Sequence, residues 1–275
     1  MCMLIRFPEG RDKALTLSYD DGVVQDIRLV ELLNKYGIKA TFNINSGCFP
    51  DKDATGDRHL SADQVKKLYL PTGHEVAVHS LTHPFLDQLP LAGALSEVIE
   101  DRRNLERLTG SIIRGMAYPF GTYNDALIEG LKSAGIAYSR TVQCTHRFSL
   151  PTDWLRMSTT CHHDDPELWS LVEAFLGDAL CPYDTDVKLF YLWGHSYEFD
   201  RGDGWARIEQ FAQAMGNRED IWYATNIEVY DYVQAYKRLI VSVDGRRIYN
   251  PSCRAVWIVH DRHTYRIAPD ETIVL

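Results

Sequence analysis

Apolar and polar residues alternate with a period of two in "ALTLSY", residues 14–19, and recur every three to four positions in "VVQDIRLVELLNKYG", residues 23–37. The first pattern predicts a strand and the second an amphipathic helix that Gly37 stops. The same pair of patterns returns along the chain. Strand-like runs are "KATFNIN", "HEVAVH", "GMAYPF", "IAYSRTV", "WLRMSTT", "VKLFYLW" and "IWYAT". Helical runs are "SADQVKKLYL" with Ser61 as N-cap, "LAGALSEVIEDRRNLERLTG", "NDALIEGLKSAG", "PELWSLVEAFLGDAL", "GWARIEQFAQAMG" and "NIEVYDYVQAYKRL". Strand and helix alternating about eight times is the pattern of a parallel α/β fold. The segment after the first strand, "DDGVVQD", is acidic where a dinucleotide-binding fold needs a Gly-rich phosphate loop, so a distorted (β/α)7-8 barrel is expected over residues 1–236. From residue 237 the rhythm changes to short β-type runs with turn signals at Asp244-Gly245 and Asn250-Pro251, which predicts a β-rich C-terminal appendage, 237–275, packed on the barrel.

Composition narrows the partners. The chain of 275 residues carries a formal net charge of -9 and no basic stripe, which argues against nucleic acid and anionic membranes. No apolar run is long enough for a membrane span. "MCMLIRFPEG" lacks the build of a secretory signal, and the six cysteines show no CxxC spacing, so free thiols and a cytoplasmic location are the expectation. The oligomeric state is not legible.

The candidate chemistry sits at strand ends. Asp20 and Asp21 end the first strand, His79 the third, Tyr118-Pro119-Phe120-Gly121 the fourth and Gly194-His195-Ser196 the seventh. In a (β/α) barrel these ends converge on the face that carries active sites. Adjacent carboxylates repel unless a cation is close, which would make Asp21 a ligand and leave Asp20 as a base. His79 and His83 have the i, i+4 spacing of a pair on one side of a helical turn. Two imidazoles and a carboxylate leave an open coordination position, the catalytic arrangement for a divalent ion. Zinc is the first expectation, with cobalt, nickel or iron also suited to these donors. His195 fits a general acid, with Asp153 as a candidate carboxylate partner. His162 and His163 would point apart on a strand; they read as a polar loop at the barrel mouth, with substrate contact or a second ion as alternatives.

With these residues in place, the chain resembles the polysaccharide deacetylases, the carbohydrate esterases that share the NodB homology domain. "SYDDG" is similar to the family's first motif and "HSLTH" to its second, and the likeness extends over about residues 14–225. The resemblance implies Asp20 as base and Asp21, His79 and His83 as metal ligands. It implies the Phe120 backbone N–H in an oxyanion hole, Asp153 tuning His195, and Trp154 lining the acetyl pocket. Tyr118 and Trp193 are taken as further substrate contacts. The expected activity is metal-dependent removal of an acyl group, N-acetyl first, from an amino sugar or glycan. A hydrolase of a non-sugar amide and a silent glycan-binding module are the alternatives. Two positions depart from the pattern: Ala117 stands where the family places an arginine, with Arg114 as a candidate substitute, and Gly194 stands where it places leucine.

Overall fold

The computed structural model describes residues 3–50, 58–177 and 187–275. Strand β1 (Leu4–Arg6) precedes β2 (Lys13–Asp20), α1 (Asp26–Lys35), β3 (Ala40–Ile44), α2 (Ala62–Tyr69) and β4 (Glu75–Val78). Next come α3 (Leu91–Thr109), β5 (Gly115–Ala117), α4 (Asp125–Ser133), β6 (Tyr138–Cys144), β7 (Met157–Thr159) and β8 (Cys161–His162). The barrel ends with α5 (Leu168–Leu176), β9 (Lys188–Gly194), α6 (Gly204–Met215), β10 (Ile221–Tyr223) and α7 (Asn226–Lys237). Five short strands follow: β11 (Ile240–Val241), β12 (Arg247–Tyr249), β13 (Val256–His260), β14 (His263–Ile267) and β15 (Thr272–Val274).

The central sheet is ordered β7-β6-β5-β4-β3-β2-β9-β8, with β10 paired to β2. Its ladders are parallel. The two ends of that order meet, because β7 and β8 are consecutive pieces of one extended stretch. The His146 N–H donates to the Thr160 carbonyl at 2.9 Å, while the Thr160 N–H donates to the Tyr191 carbonyl at 2.9 Å. Thr160 therefore links the β6 side to the β9 side, and the fold is a distorted (β/α) barrel.

The alternation in β2 explains both faces of its wall. Leu15, Leu17 and Tyr19 join the apolar cluster beneath the helices, whereas Thr16, Ser18 and Asp20 are buried polar groups. Each fully buried Leu contributes about 1.5–3 kcal/mol. The polar face is satisfied inside: Asn43 Nδ2 donates to Ser18 Oγ at 2.8 Å, and Thr16 Oγ1 donates to Asn226 Oδ1 at 2.8 Å. Ser61 caps α2 with Gln64 in a reciprocal box, as its spacing predicts. Gly37 lies just past α1 at φ 65°, a left-handed conformation that costs glycine least. The run "WLRMSTT" is strand only from Met157, and the helix beginning near Pro166 is regular over Leu168–Leu176; the part of that expected helix at 178–180 lies outside the described residues, as do Cys2 and Cys181. Among the described residues, Cys144, Cys161 and Cys253 take part in no disulfide.

The last strands form two three-stranded sheets, β11-β12-β15 and β1-β13-β14. The second recruits β1, so both chain ends contribute to it. Among the described residues no helix is long and apolar enough to cross a membrane.

Candidate metal centre and catalytic pocket

The C-terminal strand ends open into a cavity of about 530 Å³ whose walls include Asp20, Asp21, His79, His83, Phe120 and His195. Asp21 Oδ1 lies 3.7 Å from His79 Nε2 and 3.7 Å from His83 Nε2. These separations are too long for hydrogen bonds. They suit three ligands of one ion: donors bonded at about 2.0–2.1 Å in a tetrahedral site are about 3.3 Å apart, and a small closing movement brings them there. His79 Nδ1 lies 2.9 Å from the Ala117 carbonyl, a contact that holds the ring with its Nε2 edge toward Asp21. Burial, and then the neighbouring His79, lower the pKa of His83, which favours the neutral form that ligation requires.

The backbone here is unusual. Asp21, Ser80, His83 and Phe120 all have positive φ, between 57° and 78°. Such residues cost of order 1–3 kcal/mol each and collect at functional sites. The histidine pair accordingly sits on a loop with two left-handed residues, not on the helical turn its spacing suggested. Buried Asp101 of α3 holds the loop by accepting from the N–H groups of Ser46 at 2.8 Å and His79 at 3.1 Å. Asn45 Nδ2 donates to the Ser80 carbonyl at 2.9 Å.

Asp20 is buried beside this cluster. Asn43 Nδ2 donates to its Oδ1 at 2.8 Å, and Arg140 Nη2 donates to its Oδ2. His79 Nε2 and His195 Nε2 each stand 3.9 Å from that Oδ2. Burial alone would raise the Asp20 pKa, but the Arg140 guanidinium, aided by His79, His195 and Asn43, brings it down to about 2.

Arg140 was not foreseen. It is the register partner of Ala117 across the β5–β6 ladder, so the guanidinium absent at Ala117 reaches Asp20 from the neighbouring strand. Arg114 does not substitute for it: its Nη2 donates to both carboxylate oxygens of Asp231, at 2.8 and 2.9 Å.

Asp153 is likewise elsewhere. It accepts from the Leu155 N–H at 3.0 Å and from Arg156 at 2.6 Å, and it lines a different cavity with Arg147 and Tyr191. The carboxylate at His195 is Glu198, whose Oε2 lies 3.2 Å from Nδ1 and accepts from the His195 N–H at 3.0 Å. Burial would lower the His195 pKa, yet Glu198 together with Asp20 and Asp21 raises it above the ordinary value. The spacing HxxE, residues 195–198, was the available signal, since three residues on is the reach of a capping turn.

Trp154 packs edge-on against Tyr230, with ring centroids 5.1 Å apart, and belongs to the core on the far side of the barrel mouth. Tyr118 and Trp193 do line the pocket; the Tyr118 hydroxyl donates to the Leu155 carbonyl, and the Arg140 guanidinium lies 4.5 Å above the Trp193 ring. Half-exposed Phe120 stacks on Phe85 at 3.8 Å and meets His83 edge-on at 4.5 Å. His162 and His163 do not diverge as expected: their Nε2 atoms lie 3.2 and 3.4 Å from Glu198 Oε2.

Residues 8–139 match the family model for polysaccharide deacetylase. That segment is just under half of the chain, and over it the chain is similar to the polysaccharide deacetylases. The chain is 25% identical over 143 residues to a chitooligosaccharide deacetylase of Sinorhizobium fredii, covering 51% of this chain and 59% of that protein. It is 26% identical over 126 residues to the peptidoglycan-N-acetylmuramic acid deacetylase PdaC of Bacillus subtilis, covering 45% of this chain and 25% of that protein. The chain thus spans less than two thirds of the length of these curated relatives. In fold it is similar to a polysaccharide deacetylase structure from Mycobacterium smegmatis, with TM-score 0.60, 16% identity and 85% and 94% of the two chains covered. A family 4 carbohydrate esterase from Streptomyces lividans superposes with TM-score 0.50, 18% identity and coverage of 78% and 93%. The matched family segment holds Asp20, Asp21, His79, His83 and Phe120; Arg140, His195 and Glu198 lie beyond it.

Proposed function

We propose that the chain is a metal-dependent deacetylase that hydrolyses an acyl group, N-acetyl in the first instance, from an amino sugar or glycan. The observation that carries this reading is the convergence of Asp21, His79 and His83 beside a buried, arginine-paired Asp20 and a carboxylate-backed His195. Asp21, His79 and His83 would hold the ion. When bound, a divalent cation supplies a Lewis acid for the carbonyl and acidifies water, which a base as weak as Asp20 requires.

The residues of the chain divide the remaining work. Asp20 is ionised at neutral pH and accepts the proton of the attacking water, while Arg140 and Asn43 fix its carboxylate. The backbone N–H of Phe120 serves as an oxyanion donor at the pocket wall. His195, kept protonated by Glu198, delivers a proton to the departing amine. The half-exposed Phe85–Phe120 stack offers a flat apolar face to a pyranose ring, and Trp193 forms part of the pocket wall beneath Arg140.

Acetate release is the test, from N-acetylglucosamine oligomers beside a panel of simple amides. Wild-type protein loaded with zinc or cobalt should release acetate from the sugars, and Asp20→Asn should lower kcat/KM by about 100-fold or more. Unchanged turnover in Asp20→Asn would remove Asp20 as the base, and turnover of simple amides alone would replace the sugar substrate.

A further inference from the structure

The adjacent histidines 162 and 163 are the ligand-type motif that the proposed hydrolysis leaves unused. Four nitrogens crowd one oxygen there: Glu198 Oε2 lies 3.0 Å from the His195 backbone N, 3.2 Å from His195 Nδ1, 3.2 Å from His162 Nε2 and 3.4 Å from His163 Nε2. A carboxylate oxygen has two lone pairs, so this atom cannot serve four donors well. His163 is 1% exposed, and neither of its ring nitrogens makes a hydrogen bond among the described residues. Leaving such groups unsatisfied is costly.

Ligand atoms of His162, His195 and Glu198 lie within 4.8 Å of one another. The two nitrogen–oxygen contacts of 3.2 Å are hydrogen bonds as they stand, and their length is already close to the spacing of about 3.3 Å between donors on a tetrahedral ion, so a cation could replace the shared protons with little movement. Imidazole and carboxylate are donors that zinc, cobalt and nickel accept. The packing preserves this pocket: a Cβ on Gly194 would stand 2.1 Å from His163 Nδ1, so only glycine at 194 leaves room for the ring behind the cluster.

We propose that His162 Nε2, His195 Nδ1 and Glu198 Oε2 form a second divalent-cation site, separate from Asp21, His79 and His83, whose filling switches off His195 as the acid. With Nδ1 free and hydrogen-bonded to Glu198, His195 can be an imidazolium that gives up its Nε2 proton and stays neutral. With a cation on Nδ1, losing the Nε2 proton would leave an imidazolate, which a neutral amine leaving group cannot draw out. Excess metal is therefore inhibitory. The inhibition rests on the deacetylase reading; the number of ions bound does not.

The test counts ions by mass spectrometry on chelator-stripped protein equilibrated with rising buffered zinc. Wild type should bind two ions per chain, His162→Ala one, Asp21→Asn one, and the double variant none. His162→Gln, which keeps a side chain of similar size, should repeat the His162→Ala count. Acetate release by wild type should rise with the first ion and fall with the second, and the fall should be missing in His162→Ala. A wild-type protein that saturates at one ion lost in Asp21→Asn would overturn the second site and leave the proposed function standing. Two ions retained in both His162 variants would overturn it equally.

Discussion

At the scale of single residues, the proposed chemistry rests on two contacts: the Arg140 guanidinium on Asp20 and the Glu198 carboxylate on His195. Arg140 is fully buried, and replacing it by methionine would leave a buried carboxylate unpaired, at a cost of about 3–5 kcal/mol. Asp20 sits at about 2 against about 3.9 for an ordinary aspartate. The pair therefore contributes stability that is complete above about pH 4 and lost as pH falls through about 2. In Arg140→Met the acid limb of kcat/KM should move to higher pH and urea denaturation should show the lost stability; an unmoved limb would mean that Asp20 is not the group titrating there. Glu198 acts through His195 in the opposite direction. Removing its charge in Glu198→Gln lowers the His195 pKa, so the alkaline limb should move to lower pH while the acid limb stays. A uniform loss of activity at every pH would make Glu198 merely structural.

At the scale of elements, the sequence is informative where a residue's role follows from its own strand. The ends of β2 and β4 were legible because an alternating strand followed by Asp-Asp-Gly or His-x-x-x-His leaves few places for those side chains to go. Arg140 was not legible, because its role depends on the β5–β6 register, which sets it opposite Ala117. Asp153 misled for the same reason: a carboxylate before an aromatic fits the family pattern, but the turn at Trp154–Arg156 uses it as a cap. Glu198 is legible in principle from its spacing to His195, since three residues is the reach of one capping turn. The Gly194 departure has a packing cause in β8 and β9, where the ring of His163 occupies the space beside the backbone. Gly194→Ala should accordingly cost about 1–3 kcal/mol in chemical denaturation. The penalty should shrink in a His163→Ala background, since the two residues share the clash. Equal penalties in both backgrounds would disprove the contact.

At the scale of the whole molecule, the barrel brings together Asp21, His79 and His83, the proposed ligands from the ends of two early strands, and His195, the proposed acid from the end of a late one. The alternating pattern carried the fold class, since a parallel barrel repeats one local unit and each unit is readable alone. The joining of β1 to β13 was not readable, because pairing between chain ends leaves no periodic trace. The early half carries the proposed ion ligands and matches the family model, whereas Arg140, His195 and Glu198, to which the proposal gives the tuning of proton transfer, lie beyond the matched segment. Specificity and pH response are thus expected to depend on the late half.

The most direct measurement of the central claim is zinc affinity at low free metal for wild type, Asp21→Asn, His79→Ala and His83→Ala. The account predicts one tightly held ion in wild type and a loss of more than about 100-fold in each variant, beyond the 10–100-fold typical of outer partners. A tight ion that survives loss of Asp21, His79 or His83 would contradict it.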